Sequence, residues 1–317
     1  MPITLAQAKS LSQDKLTDDI IDEFSESNFI KDLPFDNTVK AQGGKSLTYT
    51  YNRLTTLPEA GTRAINGVYT AQEAAATPES VDLKIMGGAY KIDRAIQNNE
   101  TQLVDHVEMQ SIQKTKATRA VFHNLSINGD SAVDIEEFDG LDKVLTGSTT
   151  EVVPDTAIDL SDADKIKANA NAFLYYIRQT IKQMNGAPTK FLMNSDLWAV
   201  FQSVADTVTS VKFTRDELGN EIGHYGKAMF QEMGDKPGTS EQIISTDETT
   251  GKTDLYMVIL GLEDVHGVSP EGNKVITPYL PDFKTPGPVK EGEVEFIGAI
   301  AIKKTKSAAV LRGIKVK

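Results

Sequence analysis

Chemistry would fall to four histidines, one Gly-Gly-Lys-Ser word and a few paired acids, and their spacing argues against catalysis. Gly43-Gly44-Lys45-Ser46 looks like the end of a phosphate-cradling loop. Such a loop needs another glycine five positions before the second of this pair, so that backbone amides can close around a phosphate, and that position is Val39. The word also leads into a strand pattern, where a helix N-terminus is required. His106, His123, His224 and His266 are too scattered to make a metal-ligand pattern, and the chain has no cysteine to complete one. No serine stands in a nucleophile-elbow pattern. Asp18-Asp19 and Glu136-Glu137 read as solvated faces or helix starts. Asn124-Leu125-Ser126 is a chance glycosylation sequon. The expectation is no catalytic residue, no metal, no cofactor and no enzyme.

What the residues do specify is mechanical. Ala89 to Asn128 is a run of 40 residues without Gly or Pro. Within it, Asn99 to Leu125 is rich in good helix formers, with Asn99 as cap and Gln102 at the third helical position. A helix of about 26 residues would be roughly 39 Å long. Its apolar positions wander around the cylinder, so it reads as a spine over which other elements lie. His106 and His123 sit on it as surface or interface residues.

Composition narrows the class. The chain has 317 residues, 39% of them apolar, enough for a substantial core in one or two domains. With 45 acidic and 33 basic residues the formal net charge is −12, which argues against a general DNA-binding protein while leaving room for one basic face. The absence of cysteine fits a reducing compartment. The first fifteen residues lack the apolar core of a secretion signal, and no apolar run approaches the roughly 20 residues that cross a membrane. We expect a soluble product with no membrane partner.

In chain order, residues 1–33 form an arm with a short amphipathic helix over Leu16, Ile20, Ile21 and Phe24. An arm with so little core of its own must lie on something else. Residues 45–54 alternate as a half-buried strand, and so do 81–85 and 90–96, with Gly87-Gly88 predicting a bulge or bend between the last two. The 26 or so residues between the first two strands make a loop uncommonly long for a compact domain, and they read either as a projecting hairpin that lies on the next subunit or as a disordered surface loop. A second long helix spans 162–184 and closes at Asn185-Gly186. A short strand at 190–193, a cap at Asn194 or Ser195 and a helix carrying Leu197, Trp198 and Phe201 follow. Residues 207–240 give no assignment, and strands are expected at 242–248 and 254–261. Five of the 12 prolines lie between Pro270 and Pro288 and make a rigid return path. Two closing strands carry Val294, Phe296, Ile300 and Ile302, then Val310, Ile314 and Val316. The last 19 residues hold six basic residues and no acid. Together these parts describe a subunit whose extremities reach outside it, as in closed assemblies.

Their order resembles the major capsid proteins of tailed bacteriophages, the family with the Hong Kong 97-type fold. The words that carry it are YKIDRAI leading into the long helix, NGDS followed by FDGL, and the closing GAIAIKKTKSAAVLRGIKV. The resemblance covers almost the whole chain and is strongest from Lys45 to about Leu145 and at the C-terminus. It implies an α+β fold divided into an N-terminal arm (1–36), the start of a peripheral domain (37–45), an extended loop (46–88), the peripheral domain with its spine helix (89–144, helix 99–125), a mainly axial domain (145–290) and C-terminal peripheral strands (291–317). The implied function is a shell of pentamers and hexamers: the icosahedral head of a virion, assembled in the bacterial cytoplasm around double-stranded DNA. The implied partners are further copies, a portal protein, packaged DNA held without sequence preference and, on the outside, room for a decoration protein. With only about 36 residues before the body, a separate scaffolding protein is expected. Lys45 and Lys84 flank the loop with no lysine between them, so no cross-link is expected. Within this reading Phe24, Phe29, Leu33 and Phe35 anchor the arm on a neighbour. Arg53, Glu59, Arg63 and Glu73 set the loop's register by charge. Lys114, Lys116, Arg119, Lys303, Lys304 and Lys306 are the candidates to face DNA. The alternatives are an encapsulin-like shell around an enzyme cargo, a soluble α/β enzyme with a long lid at 55–80, and a tail or decoration protein.

Overall fold

The computed structural model describes residues 29–39, 47–56, 58–69, 73–97, 106–208, 211–215, 221–271 and 276–317. The first half of the chain forms α1 (Phe29–Asp32), β1 (Phe35–Val39), β2 (Thr48–Thr56), β3 (Ala75–Asp82), β4 (Lys84–Asp93), α2 (Arg94–Gln97), α3 (His106–Asn128) and α4 (Leu141–Leu145). The Gly43–Ser46 word, Phe24 and the expected helix start at Asn99 lie outside the described residues. The spine is α3, and it runs to Asn128 rather than Leu125. Gly129 follows it, packed where a Cβ would lie 2.2 Å from the carbonyl oxygen of Phe138, so only glycine fits there.

A five-stranded sheet lies against the spine, and β14 (Val289–Ile302) is its longest strand. It pairs antiparallel with β4, with β12 (Val265–Pro270) and with β13 (Thr277–Tyr279), while β1 runs parallel to β12. Pairing of β4 with β14 holds one register from Lys84↔Gly298 to Asp93↔Val289. The bulge expected at Gly87-Gly88 is therefore absent, and close approach explains the glycines instead. A Cβ on Gly87 would sit 2.1 Å from the Val294 carbonyl oxygen, and Gly88 faces the Lys114 stem of the spine at 3.5 Å. Phe122 of the spine is the centre of this core, with the rings of Phe296, Phe138 and Phe35 at 5.2, 5.9 and 6.1 Å.

The second sheet has eight strands. It adds β5 (Glu151–Val152), β6 (Ile158–Asp159), β7 (Lys190–Met193), β8 (Val211–Arg215), β9 (Glu221–Tyr225), β10 (Ala228–Glu232), β11 (Lys252–Val258) and β15 (Ala308–Lys315). Helices α5 (Ala163–Gln183) and α6 (Ser195–Thr207) cover it, capped by the side chains of Asp162 and Asn194 as their sequences demand. Their rings meet at Phe173 and Phe201, 5.0 Å apart. The unassigned stretch 207–240 contains β8, β9 and β10. Each is only five residues long, too short for its alternation to stand out. The strand expected at 242–248 does not form. Ile243 and Ile244 are both buried, which breaks a two-residue alternation, and only an isolated bridge from Gln242 to Asp235 remains.

Candidate assembly surfaces

The long loop is a hairpin: β2 and β3 pair antiparallel from Thr48↔Asp82 outward. Its base is bolted to the end of β14. Tyr51 donates its hydroxyl to the Ile302 carbonyl at 2.9 Å. Arg53 donates to the carbonyls of Ile302 and Lys303, both at 2.9 Å, and pairs with Glu79 at 3.3 Å. Tyr49 donates to Asp36 at 2.8 Å and stands edge-on to the buried ring of His266 at 5.7 Å. Burial and the Asp36 carboxylate raise the Tyr49 phenol above its ordinary pKa, so this hydroxyl remains a donor. A groove of about 320 Å³ opens under the base, lined by Arg53, Glu79, Lys84, Glu137 and Asp139 over Phe138 and Ile300.

Farther out the described residues of the hairpin are mostly exposed. The tip turns through Asn66, at φ 67°, with the Gly67 amide donating to the Ala64 carbonyl at 3.0 Å. Arg63 braces this turn: its guanidinium lies 5.4 Å over the Tyr69 ring and donates to the carbonyls of Ala64 and Gly67. The braced turn presents Ile65 and Val68, each 92% exposed. Sequence reasoning missed these two aliphatics. Their signal was an Asn-Gly turn word flanked by apolar residues, A-I-N-G-V-Y. Of the four charged loop residues singled out, Arg53, Arg63 and Glu59 interact within the chain, and Glu59 and Glu73 are exposed.

The arm residues are placed differently from the loop. Phe29 and Leu33 are buried in the chain's own core, and Phe35 packs on Phe122 and Phe296. The burial expected from a neighbour is supplied by the same subunit, because α1 wedges between the spine and β7. The Ile30 amide donates to His123 Nε2 at 3.2 Å, and Lys190, buried on β7, reaches Asp32 at 2.7 Å.

The basic C-terminus is largely neutralised in the fold. Lys303 pairs with Glu263, Lys304 with Asp264, Lys315 with Asp159 and Lys317 with Asp196. Arg312 bridges Asp142 at 2.6 Å, Asp254 at 2.8 Å and Glu151. Burial pulls the guanidinium toward its neutral form, but bonds to Glu151, Asp142 and Asp254 outweigh that and hold it charged. Lys306 lies exposed in the turn before β15. Lys114, Lys116 and Arg119 share the spine, where Glu108 is the one acid of α3. No group of three or more His, Asp or Glu among the described residues is arranged to hold a metal ion.

No family model matches the chain, and no curated protein matches it in sequence. Solved structures do match over nearly its full length. The encapsulin of the holo-SrpI complex from Synechococcus elongatus PCC 7942 superposes with a TM-score of 0.66 at 12% identity, covering 100% of this chain and 98% of its own. A chain of Mycobacterium phage Adephagia gives 0.59 at 13% identity, with 98% of both chains covered. A chain from the capsid of a native GTA particle gives 0.57 at 12%, covering 98% of this chain and 100% of its own. The architecture is α+β and of the Hong Kong 97 type. At such low identity the likeness defines the fold.

Proposed function

We propose that this chain is the structural subunit of a self-assembling protein shell and not an enzyme. The observation that carries this reading is end-to-end superposition on an encapsulin and on a capsid chain, combined with a hairpin whose braced apolar tip stands exposed. Such a shell would be built from pentamers and hexamers of this chain, and exchanged extremities add buried area between copies without enlarging each core.

Of the two interiors such a shell can have, a protein-cargo compartment of the encapsulin kind has the better support. The encapsulin superposes at 0.66 against 0.59 and 0.57 for the phage and GTA chains. Ion pairs with acids of the same chain also occupy five of the six C-terminal cations, leaving little bare charge there to meet phosphate. A head around double-stranded DNA, with portal and separate scaffolding proteins and assembly in a bacterial cytoplasm, is the second reading. Lys114, Lys116 and Arg119 on the spine favour it. Expression of the chain alone followed by size-exclusion chromatography and electron microscopy tests the shell. Megadalton closed particles support it, and a monomer or dimer at high concentration defeats it. Nuclease-protected DNA in particles from native cells selects the head, and a stoichiometric second protein selects the compartment.

A further inference from the structure

The Ile30 backbone amide, in the first turn of α1, donates to the imidazole of His123. Nε2 accepts that bond at 3.2 Å, so the neutral ring carries its proton on Nδ1. The ring is 3% exposed and stands edge-on to Phe29 at 6.1 Å. Helices α1 and α3 and the rings of Phe29 and Phe122 pack around it. Their ionisable groups around this point are Arg119 on the spine and Lys31 and Asp32 on α1, with Lys190 of β7 bound to Asp32. Asp32 is held by Lys190, and the charge that acts on the imidazole is that of Arg119.

We propose that the His123–Ile30 bond is an acid-sensitive latch on α1. Protonation puts a second donor opposite the Ile30 amide and a cation into an apolar site beside Arg119. α1 then leaves the body and uncovers Phe29, Ile30 and Leu33. Burial first, and Arg119 second, lower the imidazole pKa from 6.5 to about 4. The stabilisation held by the neutral ring is complete above pH 6.5 and drains away as pH falls toward 4. The latch is a property of the single chain and stands whether or not that chain forms a shell.

Hydrogen exchange of the full chain between pH 7 and 4, corrected for intrinsic exchange rates, tests it. Protection of residues 29–33 should fall by up to about tenfold per pH unit between 6.5 and 4, about 150-fold in all by pH 4. Strands β11 and β15 serve as the reference and should hold their protection. His123→Gln keeps an acceptor that does not titrate, so its profile should be flat. Asp32→Asn removes the Lys190 tether and should lower protection at every pH while keeping the slope. A wild-type profile flat to pH 4, a sloping His123→Gln profile, or a slope abolished by Asp32→Asn overturns the latch. Should His123→Gln fail to fold, the wild-type onset decides, since a carboxylate begins to titrate about two pH units below a histidine.

Discussion

The guanidinium of Arg53 donates to the main-chain oxygen of Ile302 at 2.9 Å, and this bond sets where the hairpin leaves the body. The same side chain also reaches the Lys303 carbonyl, the Tyr51 hydroxyl and Glu79. It therefore welds β2 to the end of β14 without adding to the core. Arg53→Ala should loosen the hairpin and leave the body's unfolding midpoint nearly unchanged. Exchange protection in β2 and β3 should drop by about 10- to 100-fold, the equivalent of roughly 1.5–3 kcal/mol for charged hydrogen bonds. Unaltered protection would show that strand pairing alone holds the angle.

Arg312 has the opposite character, because it joins α4, β5 and β11 at one point through Asp142, Glu151 and Asp254. Its side chain is 18% exposed and those of Asp142, Asp254 and Glu151 are 44%, 27% and 17% exposed, so removing it leaves three partly shielded carboxylates facing one another. Arg312→Met should destabilise the whole fold by about 3 kcal/mol in urea denaturation. Adding Asp254→Asn should recover part of that loss by removing one of the stranded charges. A neutral effect of Arg312→Met would mean that water reaches the cluster freely.

These two arginines show why some of the molecule was legible in the sequence and some was not. The spine, α5, the capped α6 and the two closing strands follow local rules of propensity, capping and alternation, so the chain announces them. The hairpin was legible as a length that no compact domain needs. What the sequence hides is pairing between distant positions. The run of cations after Ala299 reads as a basic surface until Glu263, Asp264, Asp159 and Asp196 are folded against it. Phe29 and Leu33 read as anchors for a neighbour because nothing local reveals that they join the chain's own core with Phe122 and Leu192. The tip was missed for a different reason: two aliphatics around a turn look like noise until Arg63 is seen holding them outward.

Gly87 and Gly88 are adjacent and should respond in opposite ways. At Gly87 a Cβ would meet the Val294 backbone oxygen at 2.1 Å, and backbone in the middle of a sheet has nowhere to go. At Gly88 the nearest atoms belong to the flexible Lys114 side chain at 3.5 Å. Gly87→Ala should therefore cost about 2 kcal/mol or more through overpacking. Gly88→Ala should stay within about 0.5 kcal/mol of the parent. Chemical denaturation of the two variants side by side checks this, and equal effects would refute the close-approach explanation.

The hairpin tip carries the sharpest consequence of the shell reading. Ile65 and Val68 are each 92% exposed, so neither stabilises its own subunit, and Ile65→Ser with Val68→Ser should leave the chain's unfolding midpoint where it was. In an assembly each buried aliphatic side chain contributes about 1.5–3 kcal/mol, and every copy in the shell repeats it. The double variant should therefore accumulate as folded small oligomers and yield no closed particles by electron microscopy. Arg63→Ala leaves both aliphatics in place and removes the brace that holds the turn, so it should lower the yield of particles without changing their form. Full yields of normal shells from the double variant would mean that the tip lies idle in the assembly and that contacts between subunits are made by the body alone.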